Sequence, residues 1–362
     1  MGKARPARFV SHDVYRGFGY GANHPLGIAR VGAVMDLCGA LGWLPPGAYV
    51  ESPQASVAEL TRFHAVEYVN AVRTGTGGKF NLGNMENPVF PGLFERAATS
   101  VGGSVLAARL ALEGRAAFHP AGGTHHGRPD RASGFCYFND PVFAILTLLD
   151  GGAAPLLYVD LDAHHGDGVQ DAFAADPRVH TVSIHEAGRW PHTGGADDAG
   201  GGRSLNLPVP RGFHDGELAF LLDEIVLPRA GRLRPGAVVL TCGADALAGD
   251  PLSSMALSNV ALWDAVERLA ALAPAAVVLG GGGYNPWTLA RYWTGLWGRL
   301  SGREIPDALP IEAQSILRAL QCDLVDDEDL RPEWFTRLAD TRNDAPVRAE
   351  VRAMAEGTHE LA

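Results

Sequence analysis

The chain has 362 residues, 46% of them hydrophobic, and a formal net charge of −11. A sizeable core is therefore possible, while the acidic balance argues against nucleic acid or an anionic membrane surface as the main partner and is compatible with a cationic substrate such as a lysine-rich peptide or a polyamine. Cys38, Cys136, Cys242 and Cys322 form no C-x-x-C pair, residues 1–10 hold no apolar segment of signal length, and no run of about 18 apolar residues occurs, so the expectation is a cytoplasmic, reducing setting with no membrane span.

In chain order, apolar periodicity predicts helices over 29–43, 57–74 and 93–113, then a strand over 115–119 and a helix over 141–150. Strands follow at 155–161 and 180–185, a helix at 217–232, a strand at 237–242, a helix at 258–273, a strand at 275–280 and a helix at 286–300. The glycine-rich stretches 75–87, 121–135, 186–204 and 281–285 read as loops. This alternation is the sequence form of a mostly parallel α/β sheet with helices on both faces. After about residue 303 the chain turns charged and proline-punctuated, which divides it into a catalytic unit, 1–302, and a helical extension or lid, 303–362.

The predicted strands end in polar residues, and in a parallel sheet those ends share one edge, where open α/β sheets place their ligands. Asp162 and His164 follow strand 155–161, and Asp245 follows strand 237–242. Together they offer two carboxylates and one imidazole with room for water, the donor set of a hydrolytic zinc or iron(II) site. A D-x-H pair alone serves structure as often as chemistry, and Asp245 alone is more often a helix cap. The adjacent His125 and His126 lie in a glycine-rich turn and need carboxylates to hold their tautomers, which Asp160 and Asp167 can supply. Gly281, Gly282 and Gly283 place Tyr284 on a bend. No phosphate-loop spacing stands in the right context, so nucleotide binding is not expected. Tyr292, Trp293 and Trp297 read as core.

Four strings in order carry a resemblance: H-H-G-R-P-D-R-A-S-G-F-C-Y-F-N-D from His125, Y-V-D-L-D-A-H-H-G-D-G from Tyr158, C-G-A-D-A-L-A-G-D-P-L from Cys242 and G-G-G-G-Y-N from Gly280. Over about residues 9–300 the chain resembles the metal-dependent histone deacetylase superfamily, most of all class I enzymes and acetoin-utilisation-type bacterial deacetylases. The resemblance implies an arginase/deacetylase-like three-layer α/β fold around an eight-stranded, mainly parallel sheet. It implies hydrolysis of N-acyl-lysine amides, with Asp162, His164 and Asp245 holding Zn2+ or Fe2+. His126, oriented by Asp167, would be general base and then acid; His125, oriented by Asp160, an electrostatic partner; Tyr284 the oxyanion donor.

Gly134 and Phe135 would line the acyl-lysine tunnel, Arg30 an internal acetate channel, and Asp160 with Ser183 a structural K+ site. Three positions depart from the family pattern. Glu86 replaces the commoner rim aspartate, Leu252 stands where many relatives place a pocket methionine or leucine, and the loop E-A-G-R-W-P-H-T-G-G leaves Trp190 as the second tunnel wall. These departures bear on substrate choice: acyl-lysine in a protein, or an acetylpolyamine or other small acetylated amine. A binding protein without turnover is the alternative from another class, disfavoured by the intact set of ligands, histidines and tyrosine. An arginase-type ureohydrolase would need more aspartates for a second metal.

Overall fold

Eight strands form one sheet in the computed structural model, which describes residues 5–17, 19–21 and 23–359. They are β1 (Arg5–Ser11), β2 (Tyr49–Glu51), β3 (Arg115–His119), β4 (Leu156–Asp160), β5 (Val179–Glu186), β6 (Ser204–Val209), β7 (Ala237–Thr241) and β8 (Ala275–Leu279). Their order is β2-β1-β3-β8-β7-β4-β5-β6, and every pairing is parallel, where a mainly parallel sheet was expected. Residues 1–4 of the basic amino-terminal stretch and 360–362 of the extension lie outside the described residues.

The apolar run of β4 has a simple cause. Its side chains alternate between two cores, Leu157 and Val159 on one face and Leu156 and Tyr158 on the other, so neither face tolerates polarity. Helices Val31–Ala40, Asn259–Ala270 and Pro286–Leu300 cover the first face, and Leu93–Leu112 and Asp140–Asp150 the second. That makes the three-layer arrangement.

The five expected strands are β3, β4, β5, β7 and β8, and β1, β2 and β6 were not anticipated. β2 and β6 are the sheet edges, and β1 buries fully only Phe9, Val10 and Ser11. β6 carries Pro208, which an edge strand accepts because no outer neighbour needs its N–H. The single helix expected over 57–74 is two, Val57–Leu60 and Val66–Thr74. Between them the Ala65 N–H leaves the helical ladder to donate to the Pro129 carbonyl at 2.8 Å. The helix expected over 217–232 is likewise interrupted, by a wide turn at Leu222–Val226.

Beyond residue 303 the chain is helical over Ile311–Arg318 and Ala349–His359, with largely irregular backbone between. It packs back on the preceding part of the chain: the Trp334 ring stacks beside Trp287 at 6.4 Å, Arg291 meets Asp340 at 2.7 Å, and Arg348 meets buried Glu217 at 2.7 Å. No described helix is long and apolar enough to cross a membrane.

Candidate metal and active site

Parallel register brings the carboxyl ends of β3, β8, β7 and β4 to one edge, and with them the loops bearing His125, Tyr284, Asp245 and Asp162. Asp162, His164 and Asp245 converge there, each offering one ligand atom within 4.8 Å of the others. Nδ1 of His164 lies 3.1 Å from Asp162 Oδ1 and 3.0 Å from Asp245 Oδ2. Burial opposes a charge on His164, but the flanking carboxylates outweigh it and raise the imidazole to about 10. Burial and the neighbouring Asp162 raise Asp245 above the ordinary carboxylate value. Two buried carboxylates around one imidazole leave negative charge that a divalent cation balances, and the O, N, O donor set suits zinc or iron(II) with positions left open. The residues fit such an ion.

Close approach is built into the backbone here. A Cβ on Gly282 would collide with the Asp245 carboxylate, and the Gly282 N–H donates to Asp162 Oδ2 at 2.6 Å. The Ala163 N–H donates to Asp245 Oδ1 at 3.0 Å, so both carboxylates are fixed by main chain.

Beside the cluster stand two imidazole–carboxylate pairs. His125 Nδ1 donates to Asp160 at 2.6 Å and His126 Nδ1 to Asp167 at 2.7 Å, so Nε2 of His126 is its free end, while Nε2 of His125 lies 3.8 Å from Asp162 Oδ1. The environments separate them. Burial disfavours charge on His125, yet Asp160 and Asp162 together raise it to about 9. Burial and the charge of His125 hold His126 down to about 4 against the pull of Asp167. His126 is thus neutral at pH 7 and able to accept a proton.

Tyr284 is 6% exposed and its ring lies 5.9 Å from that of Phe135. Burial, then Asp245 and Asp162, raise its phenol well above its ordinary value, so it remains a donor. The cavity above the cluster is lined by Gly134, Phe135, Trp190, Leu252 and Glu86 together with Tyr284. Trp190 stands edge-on to His126 at 4.6 Å, and Gly134 is needed opposite it because a Cβ there would strike the indole. All five residues expected at the tunnel therefore meet around one opening.

Residues 24–300 match the histone deacetylase domain family. The chain belongs to the histone deacetylase family. It is 38% identical over 327 residues to type-1 histone deacetylase 1 of Dictyostelium discoideum, covering 86% of this chain and 66% of that one. It is 33% identical over 331 residues to the acetoin utilization protein AcuC of Bacillus subtilis, covering 85% of each. The crystal structure of a histone deacetylase homologue from Aquifex aeolicus superposes with a TM-score of 0.93 at 35% identity, covering 98% of this chain and 99% of that one. The chain spans slightly under two thirds of the length of the Dictyostelium and plant relatives, from 66% down to 59%.

In this histone deacetylase family member a second cavity runs inward from the cluster to Arg30 and Arg96. Arg30 donates to the Gly281 carbonyl at 2.5 Å, lies over the Trp293 ring at 5.3 Å, and has a buried Nε without a partner. Ser183 is the register partner of Asp160, but its hydroxyl bonds His185 Nδ1 at 2.9 Å. Glu86 reaches the rim, yet its carboxylate accepts from the Gly134 N–H at 2.6 Å and from Asn81 at 3.1 Å.

Sequence reasoning passed over several residues that hold this deacetylase-family site together. Arg128 pairs with Asp167 and Asp171, Arg189 ties Glu186 to the Leu252 carbonyl, and Asn139 holds the histidine loop. Asn139 and Asp140 gave a usable signal: an Asn-Asp-Pro helix start inside a glycine-rich loop, which burial then turns into loop anchors.

Proposed function

We propose that this protein is a metal-dependent amidohydrolase that removes acetyl or other acyl groups from N-acyl-lysine side chains. The observation that supports it most is the convergence, on one sheet edge, of the three-ligand cluster, a neutral His126 and the Tyr284 phenol beneath an opening walled by Phe135 and Trp190. A Zn2+ or Fe2+ ion held by Asp162, His164 and Asp245 would polarise the amide carbonyl and lower the pKa of a water molecule.

The chain's own groups then have distinct work. His126, with Nδ1 committed to Asp167, takes the proton of the attacking water at Nε2 and later returns it to the leaving amine. Tyr284 donates its O–H to the carbonyl oxygen as negative charge develops there in the tetrahedral intermediate. His125, charged through Asp160, adds a fixed positive group nearby. Phe135, Trp190 and Gly134 hold the extended alkyl chain and exclude bulk water. Arg30 faces the carboxylate product in the inner cavity. The reading includes a structural K+ at Asp160 and Ser183, which strand register sets side by side. It also places the carboxyl-terminal segment 303–362 as an extension packed on the catalytic unit, and the protein in the cytoplasm.

Acyl-lysine is favoured over an acetylpolyamine by the charge of the opening. Its two carboxylates, Glu86 and Glu186, are both engaged within the protein, Glu186 by Arg189 at 2.7 Å and by the Ser254 N–H at 2.7 Å. Leu252 is apolar, so no free carboxylate at the opening awaits a second ammonium group. The test is kcat/KM of zinc-loaded protein on an Nε-acetyl-lysine peptide and on a monoacetylated diamine. The reading expects the peptide to be the better substrate; a better diamine overturns it in favour of the small-amine reading.

A further inference from the structure

Tyr284 follows four glycines, 280–283, of which Gly281 and Gly283 have φ of +154° and +138°. Such a run supplies bend without stiffness, so it does not by itself hold the phenol in place. The hold comes from across the site. The Tyr284 N–H donates to Asp250 Oδ2 at 2.7 Å, and the Leu252 N–H donates to Asp250 Oδ1 at 2.9 Å. Asp250 is 6% exposed, so both bonds lie in a medium where a lost partner is costly. The same turn is pinned a second time, because Asn285 Nδ2 donates to the Gly249 carbonyl at 2.9 Å while Asn285 Oδ1 caps helix Pro286–Leu300.

We infer that Asp250 is a positioning residue that aligns the Tyr284 donor through one carboxylate oxygen and the Leu252 rim through the other. The inference rests on Tyr284 being the oxyanion donor of the reading above. Only a carboxylate accepts two N–H bonds in this geometry. An asparagine keeps one acceptor and turns an NH2 group against the second N–H.

The experiment is a double-mutant cycle with zinc-loaded wild type, Asp250→Asn, Tyr284→Phe and the double variant on an Nε-acetyl-lysine peptide. Asp250→Asn is expected to lower kcat about tenfold, equivalent to about 1.4 kcal/mol, and to speed amide exchange at residues 281–286, with zinc content unchanged. In the Tyr284→Phe background the kcat loss disappears, while a rise in KM from the loosened Leu252 persists. An equal fold-loss of kcat in both backgrounds, or unchanged exchange at 281–286, overturns the inference while leaving the role of Tyr284 intact. If Tyr284→Phe alone leaves kcat unchanged, the functional reading falls and this inference with it. Should Asp250→Asn fail to fold, Asp250→Ser, whose hydroxyl accepts one of the two bonds, enters the same cycle with the same expected pattern.

Discussion

His64 and Asn139 meet through a hydrogen bond that allows only one protonation state. His64 Nδ1 donates to the Arg128 carbonyl at 2.9 Å, and Nε2 accepts the Asn139 N–H at 3.1 Å, so the ring is neutral. The Asn139 side chain then donates to the carbonyls of His125, at 3.0 Å, and Gly127, at 2.9 Å. A buried structural histidine thereby fixes the loop that carries His125 and His126.

A pH dependence follows. Burial lowers His64 from 6.5 to about 4, against the opposing pull of the Arg128 and Pro129 carbonyls. A depressed folded-state pKa means stability that is complete above pH 6.5 and is lost as the pH falls towards 4. Unfolding free energies of wild type and His64→Asn from urea titrations across that window should converge on acidification, by up to roughly 3 kcal/mol. Parallel curves would remove His64 as the titrating group.

Tyr284→Phe removes the phenolic donor and nothing else of comparable size. Loss of one preorganised oxyanion donor costs on the order of 100- to 1,000-fold in kcat. Zinc content should match wild type, since the metal cluster is elsewhere in the chain. Steady-state kinetics beside elemental analysis checks both halves.

Asp162→Ala should abolish metal retention. It removes one of three ligands, and with it the acceptor for the Gly282 N–H. Dialysed variant protein analysed for bound zinc is the measurement, and full occupancy would refute the ligand assignment.

Arg348→Ala tests the docking of the carboxyl-terminal segment. Arg348 donates to both oxygens of the fully buried Glu217 at 2.7 Å. Removing it leaves that carboxylate only the main-chain N–H groups of His214 and residue 348 and the nearby His214 ring, at a cost on the order of 2 kcal/mol once the 35% exposure of Arg348 is allowed for. Thermal melts should shift down, and limited proteolysis should cut sooner between 303 and 349.

The central strands and the residues that follow them were easier to read from sequence than the architecture around them. Asp162, His164 and Asp245 sit within a few residues of strands buried on both faces, so the edge on which they lie follows from the strand pattern, while their convergence depends on the turns that carry them. The edge strands β2 and β6 lack that signal, because an edge needs less apolar surface, and β1 lacks it because only its last three residues are fully buried. The break between Val57–Leu60 and Val66–Thr74 was invisible for another reason. No proline or glycine marks it, and the bond from Ala65 to Pro129 that makes it spans 64 residues. Long-range hydrogen bonds likewise hid His64 and Asp250, whose roles depend on partners that spacing does not reveal, while Asn139 showed only as a helix start. Glu86 lines the opening, but only the structure disclosed that Gly134 and Asn81 already occupy it.

The most direct test of the central claim is acetate release from an Nε-acetyl-lysine peptide by the protein before chelation, after chelation, and after one equivalent of Zn2+ is returned. The expected result is hydrolysis that chelation abolishes and one zinc per chain restores. Hydrolysis indifferent to the metal, or none in any of the three states, would contradict it.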